Sequence, residues 1–273
     1  MNVRALAAEA VGTFILIFFG SLGVATVFVI TSGNGSPIVA LLTVPFSFGL
    51  GLMAAIAIAG RTSGGHFNPA VTLAALFDGR LSATDALGYV VAQIGGGLLA
   101  SLALLLTTSM DVVKMSVNQP GPTAPDVFGQ ELHAFTIEML LTAVFVAVIL
   151  TVTRKAPGAA VFVIPLTLTA IHFAAMHISG ASVNPVRSLA PAVVSGTYAS
   201  LWVYLTAPFA GAIVGWGVYR LFNSPDDEDE DAEEDGELED DDFDDDLDDD
   251  PDDDADDVVD DVVDEAPKAR QKR

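Results

Sequence analysis

Two short stretches constrain the fold more than anything else in the chain: Gly64-Gly65-His66-Phe67-Asn68-Pro69-Ala70 and Gly180-Ala181-Ser182-Val183-Asn184-Pro185-Val186-Arg187. Each sets Asn-Pro behind a small-residue loop and ahead of a short apolar run. Asn is a good helix N-cap and Pro is favoured at the first helical position, so each Asn-Pro marks a helix start. The first of these helices is expected to run from Pro69 to about Phe77, roughly 13 Å at 1.5 Å per residue and about half of a bilayer core of roughly 30 Å. Two half-helices, one in each half of a membrane-spanning chain, mark a binding site or a pore.

The membrane reading comes from the runs around them. Six apolar segments are long enough to span a bilayer: about Val3–Ile30, Pro37–Gly60, Ala83–Thr107, Leu132–Thr153, Ala159–His177 and Leu201–Phe222. The first is too long for a signal peptide and carries Glu9, so it reads as a retained span. With both termini inside, Arg4, Arg61, Arg80, Arg154, Lys155 and Arg220 fall on the cytoplasmic side and only Lys114 and Arg187 on the other, as the positive-inside rule requires. Net charge needs dividing before it means anything. The whole chain carries -24, yet from Pro225 onward 29 Asp+Glu face 4 Lys+Arg, leaving a body near neutrality. Cysteine is absent, which excludes disulfides, thiolate nucleophiles and Cys-based metal sites.

The two halves repeat. Glu9 and Thr13 in the first span match Glu138 and Thr142 in the fourth, and each half reaches its Asn-Pro after its second span. Three spans per half is an odd number, so the second copy enters the membrane from the opposite face. The half-helices should then meet near the midplane from opposite sides.

Ser63-Gly64-Gly65-His66-Phe67-Asn68-Pro69-Ala70-Val71-Thr72 resembles the first signature of the aquaporin (major intrinsic protein) family, and Ser182-Val183-Asn184-Pro185-Val186-Arg187-Ser188 the second. Ala92-Gln93 with Gly95-Gly96-Gly97 is similar to the family's third span. The resemblance covers about Ala8 to Arg220 and implies an all-α membrane channel with six transmembrane helices, two re-entrant half-helices and an inverted repeat. Domain limits follow: a channel domain over 1–224, with repeats at about 1–107 and 131–222, and a disordered acidic cytoplasmic tail over 225–273. It also implies a homotetramer in the cell membrane with one water-conducting pore per subunit, and no catalysis or cofactor. Nothing points to nucleic acid.

The residues themselves support a pore that passes neutral molecules. Two inward-facing helix N-termini repel cations, and each Asn is expected to cap its helix with its oxygen and turn its N–H groups to the pore. Pore width, lining donors and electrostatic barriers together set selectivity in such channels. Carried over by register, the family's filter falls on Phe48, His172, Ala181 and Arg187, which resembles the water-selective type. A glycerol-conducting member usually has a small residue in place of the histidine, and an Asp where this chain has Ser188. Glu9, Glu138 and Gln93 read as supports for the loops that carry Asn-Pro. His66 and Arg61, at the inner mouth, are candidates for gating. Val186 departs from the family's Asn-Pro-Ala. A wider channel for glycerol or similar solutes is the alternative within the fold. A proton-coupled transporter using Glu9 and Glu138 and a closed structural protein are those outside it.

The tail beyond Pro225 cannot bury enough apolar area to fold and reads as a solvated brush with no identified partner. Such acidity would suit a salt-rich cytoplasm, where the Debye length falls to about 3 Å at 1 M.

Overall fold

The computed structural model describes residues 2–32, 37–121 and 129–223; the acidic tail assigned above to 225–273 lies outside the described residues. The described residues form helices and connections, without a strand. Uninterrupted apolar sequence in lipid must satisfy its own backbone polar groups, and the helix does this within one segment. The spans are α1 (Val3–Ser32), α2 (Pro37–Ala55), α5 (Ala83–Thr107), α7 (Gln130–Lys155), α8 (Ala160–Ser179) and α10 (Leu201–Phe222). Between α2 and α5 stand α3 (Arg61–Ser63) and the half-helix α4 (Pro69–Phe77). The short α6 (Met110–Met115) follows α5, and the second half-helix α9 (Pro185–Ser195) follows α8.

Observed limits lie within two residues of the expected ones, with one difference of kind. The expected second span, Pro37–Gly60, is not a single α-helix: its last turn, Ile56–Gly60, is a π-helix, followed by α3. The short α3 ends at Gly64, whose φ of 91° only glycine adopts without strain.

Packing follows the repeat. In the first half α1 packs on α2 and α5, in the second α7 packs on α8 and α10, and α2 against α8 joins the halves. Each half-helix packs against both α5 and α10, so each repeat encloses the other's half-helix. Where α5 crosses α1, a side chain on Gly96 would strike the carbonyl of Ala10; where α10 crosses α7, one on Gly211 would strike that of Met139. Facing outward are Phe19, Leu50, Leu99, Val144, Leu166 and Ile213, each about half exposed or more, a surface suited to lipid. At one end, here the basic end, Arg80 pairs with Asp78 at 2.8 Å and donates to Thr153 Oγ1 at 2.7 Å and Leu150 O at 2.9 Å, tying α4 to α7.

Candidate pore

The two Asn-Pro loops are held by matching corners. Glu9 Oε1 accepts from Ser63 Oγ (2.6 Å) and His66 N (3.0 Å), and Oε2 from Phe67 N (2.7 Å) and Gln93 Nε2 (2.7 Å). Glu138 Oε1 accepts from Ser179 Oγ (2.7 Å) and Ser182 N (2.8 Å), and Oε2 from Val183 N (2.7 Å). Both carboxylates are fully buried. Their bonds hold loops in which Phe67, Ala181 and Val183 have φ of 49°, 49° and 45°, in the left-handed region that costs a non-glycine residue about 1–3 kcal/mol. Tyr89 Oη donates to Ser63 O at 2.8 Å, and Tyr204 Oη does the same to Ser179 O at 2.8 Å.

At the centre the two asparagines face each other's loops. Asn68 Oδ1 accepts from Ala70 N at 2.9 Å, and Asn184 Oδ1 from Val186 N at 3.0 Å and Arg187 N at 3.4 Å, each capping its half-helix. Asn68 Nδ2 donates to Val183 O at 2.8 Å and Asn184 Nδ2 to Phe67 O at 2.9 Å. One amide hydrogen of each is therefore spent across the repeat. The expectation that both face the pore is amended: one remains on each. Val186 sits over Gly97, among Ile17 and Ala100, so the missing side chain of Gly97 makes room for the extra methyls.

Three cavities lie in series and share wall residues. A vestibule at the basic end, with about 490 Å³ open to water-sized spheres, is lined by Arg61, Gly64, Gly65 and Thr153. Gly64 and Gly65 also line a central cavity with His66, Asn68, Asn184 and His172, and its roughly 30 Å³ is room for about two or three waters at about 10–15 Å³ each. Arg187 closes that cavity and lines the next, a vestibule of about 560 Å³ at the far end with Lys114, Ser116, Asn118 and Gly180.

Phe48, His172 and Arg187 line the central cavity, and Arg187 also faces the far vestibule. The His172 ring stacks on Phe48 with centroids 4.5 Å apart and planes at 19°, and the guanidinium carbon of Arg187 lies 4.8 Å from the Phe48 centroid. All three are buried. Thr169 and His172 occupy the inward face of α8, and Nδ1 of His172 donates to Leu168 O at 2.9 Å, which leaves Nε2 as a bare acceptor. Neither His172 Nε2 nor Arg187 Nε has a protein partner. An acceptor and a donor thus stand unused on residues of the central cavity wall, a set that can exchange hydrogen bonds with a neutral polar molecule.

The structure brings Phe48, His172 and Arg187 together as the register predicts. Ala181 is fully buried, its backbone turned by the left-handed φ, and it is not part of the central cavity wall. Gln93 bridges Glu9 and Thr72, and Thr72 Oγ1 donates to Asn68 O at 3.1 Å. His66 lines the central cavity, with Nδ1 3.1 Å from Thr72 Oγ1 and its ring edge-on to Tyr89. Sequence reasoning missed the serine–tyrosine pairs, although Ser63 and Ser179 both stand five residues before their asparagines. It also missed Ser116 and Asn118, which meet Arg187 from outside either repeat.

Six helices long and apolar enough to cross a membrane, enclosing paired half-helices around a file of cavities, define a multi-pass membrane channel. Residues 1–219 match the Major intrinsic protein family, and the chain belongs to that family, whose members are channels and not enzymes. Glycerol uptake facilitator protein-like 6 of Lactiplantibacillus plantarum is 39% identical over 229 residues, covering 82% of this chain and 100% of the relative. Aquaporin Z of Photorhabdus laumondii is 37% identical over 229 residues, covering 80% and 97%. The X-ray structure of the aquaglyceroporin from Plasmodium falciparum matches the fold with a TM-score of 0.70 over 80% of this chain and 96% of that one, at 22% identity.

Proposed function

We propose that this channel is selective for water, with Phe48, His172 and Arg187 as its filter and Ala181 as the small residue beside them. The observation that carries the reading is the packing of both His172 and Arg187 on the Phe48 ring, which puts an aromatic and a histidine in the space a wider solute would need, beside an Arg187 Nε and a His172 Nε2 that have no protein partner. Asn68 and Asn184 each keep one amide hydrogen for a water at the central cavity, and the N-termini of α4 and α9 meet there and repel cations. Glu9, Glu138 and Gln93 act as loop supports: Glu9 accepts four hydrogen bonds and Glu138 three, and both lie outside the central cavity wall, which speaks against a proton relay. Arg61, in the basic-end vestibule, and His66, on the central cavity wall, are the candidate gating residues. The basic end faces the cytoplasm, the termini lie inside, and four subunits associate in the cell membrane, each with its own pore.

Passage of glycerol is the second reading, favoured by the relative named for glycerol uptake. Stopped-flow light scattering on proteoliposomes separates them. Wild type should shrink rapidly with a low activation energy and admit no glycerol, and Arg187→Ala should admit it. Glycerol entry through the wild type at a rate near that of water would overturn the water-selective reading.

A further inference from the structure

The filter arginine is held by a segment that belongs to neither repeat. After α6 the chain continues through Ser116–Gly121, and Gly121 N donates to Ile178 O at 2.7 Å, seating this stretch against the end of α8. A side chain on Gly121 would strike the carbonyl of His177, so the approach requires glycine there. Arg187 Nη1 donates to Ser116 O at 2.9 Å and to Asn118 Oδ1. Ser188 Oγ donates to the same Asn118 oxygen at 2.8 Å. Two donors converging on one atom fix the orientation of the amide: that atom must be the oxygen, and Nδ2 then lies against Gly180, without a protein partner. Asn118 is buried, and it lines the far vestibule together with Arg187.

We infer that Asn118 is a specificity-determining positioning residue, which pins the Arg187 guanidinium and so sets the width of the filter from outside the repeat. Its action reaches further through Ser188. Ser188 Oγ also meets Ser182 Oγ, and Ser182 Oγ contacts Asn184 O at 2.9 Å. Two hydroxyl protons thus serve three contacts. When Ser188 donates to Asn118, the single proton of Ser182 is shared between two acceptors, Ser188 Oγ and Asn184 O. The position of Arg187 is therefore linked by hydrogen bonds to the Asn184 loop at the pore centre.

This inference rests on the filter assigned above, and one experiment separates the two. Water and glycerol permeabilities are measured on proteoliposomes of the full chain for wild type, Asn118→Ala, Asn118→Asp, Arg187→Ala and the Arg187→Ala/Asn118→Ala double variant. Wild-type glycerol passage would sink the filter reading itself, before any variant is compared. Given exclusion by wild type, Asn118→Ala should raise the glycerol-to-water ratio about tenfold, the scale of losing one hydrogen bond to a charged group. Asn118→Asp, which keeps an acceptor for both Arg187 and Ser188, should retain exclusion within about twofold. In the Arg187→Ala background, Asn118→Ala should change the ratio no further. A ratio unchanged in Asn118→Ala, or an equal further rise in the double variant, would overturn the inference. If Asn118→Ala fails to fold, Asn118→Asp against Asn118→Leu decides it: matching ratios in those two would refute the anchor.

Discussion

The first half of the molecule closes its loop with its own residues, and the second does not. Around Glu9, Gln93 supplies a fourth donor and reaches on to Thr72, so that carboxylate, loop and half-helix are knitted within one repeat. At the place of Gln93, four residues beyond the matching tyrosine, α10 has Pro208, and Glu138 keeps three donors. The second loop is completed instead by Arg187, Ser188 and the inserted Ser116 and Asn118. The carboxylate corner is common to both halves and holds the backbone. Three of the four residues proposed for the filter, His172, Ala181 and Arg187, lie on the half whose internal scaffold is less complete, and Phe48 comes from the other.

That comparison is open to direct attack. Each oxygen of Glu9 takes two donors, so Glu9→Gln must turn its amide nitrogen toward two of them, whereas Glu138→Gln can place the nitrogen at Oε2 and lose one bond. At about 1.5–3 kcal/mol per hydrogen bond to a charged group, Glu9→Gln should cost roughly 3–6 kcal/mol and Glu138→Gln about half as much. Thermal unfolding in detergent gives the order; equal losses would mean that the fourth donor contributes nothing. Gly96→Ala and Gly211→Ala test where the halves are alike. Each new methyl meets a helix carbonyl, and each should cost about 1–3 kcal/mol by overpacking, with the two midpoints falling together. The smallest effect belongs to Gln93→Leu, which makes the first corner resemble the second. It removes one donor to Glu9 but also an unpartnered buried oxygen, so a loss of about 1 kcal/mol with water conduction intact is expected from the same assays.

Spans, half-helices and the glutamate pair were legible because each is either a long apolar run or occurs twice. Phe48 and His172 are single residues inside apolar helices, and only their register from the Asn-Pro motifs marks them out. The π turn at Ile56–Gly60 leaves no trace in a run that is apolar throughout, since widening a turn changes neither hydropathy nor length appreciably. Tyr89 and Tyr204 could have been found by aligning the halves, because both follow their asparagines at nearly the same distance. Asn118 could not. It lies in the connection between repeats, so internal symmetry gives no second copy to compare, and its partner is fixed only when the chain folds back onto α9.

The exchanged bonds of the two asparagines span 115 and 117 residues of chain. While the protein is being synthesised, Asn68 and Phe67 emerge long before Val183 and Asn184 exist to meet them. The centre of the pore is therefore among the last contacts available, as its high sequence separation dictates. A growing or truncated chain can insert three or four spans in a membrane without opening a hole in it, because the passage is only assembled once both ends of the repeat are present.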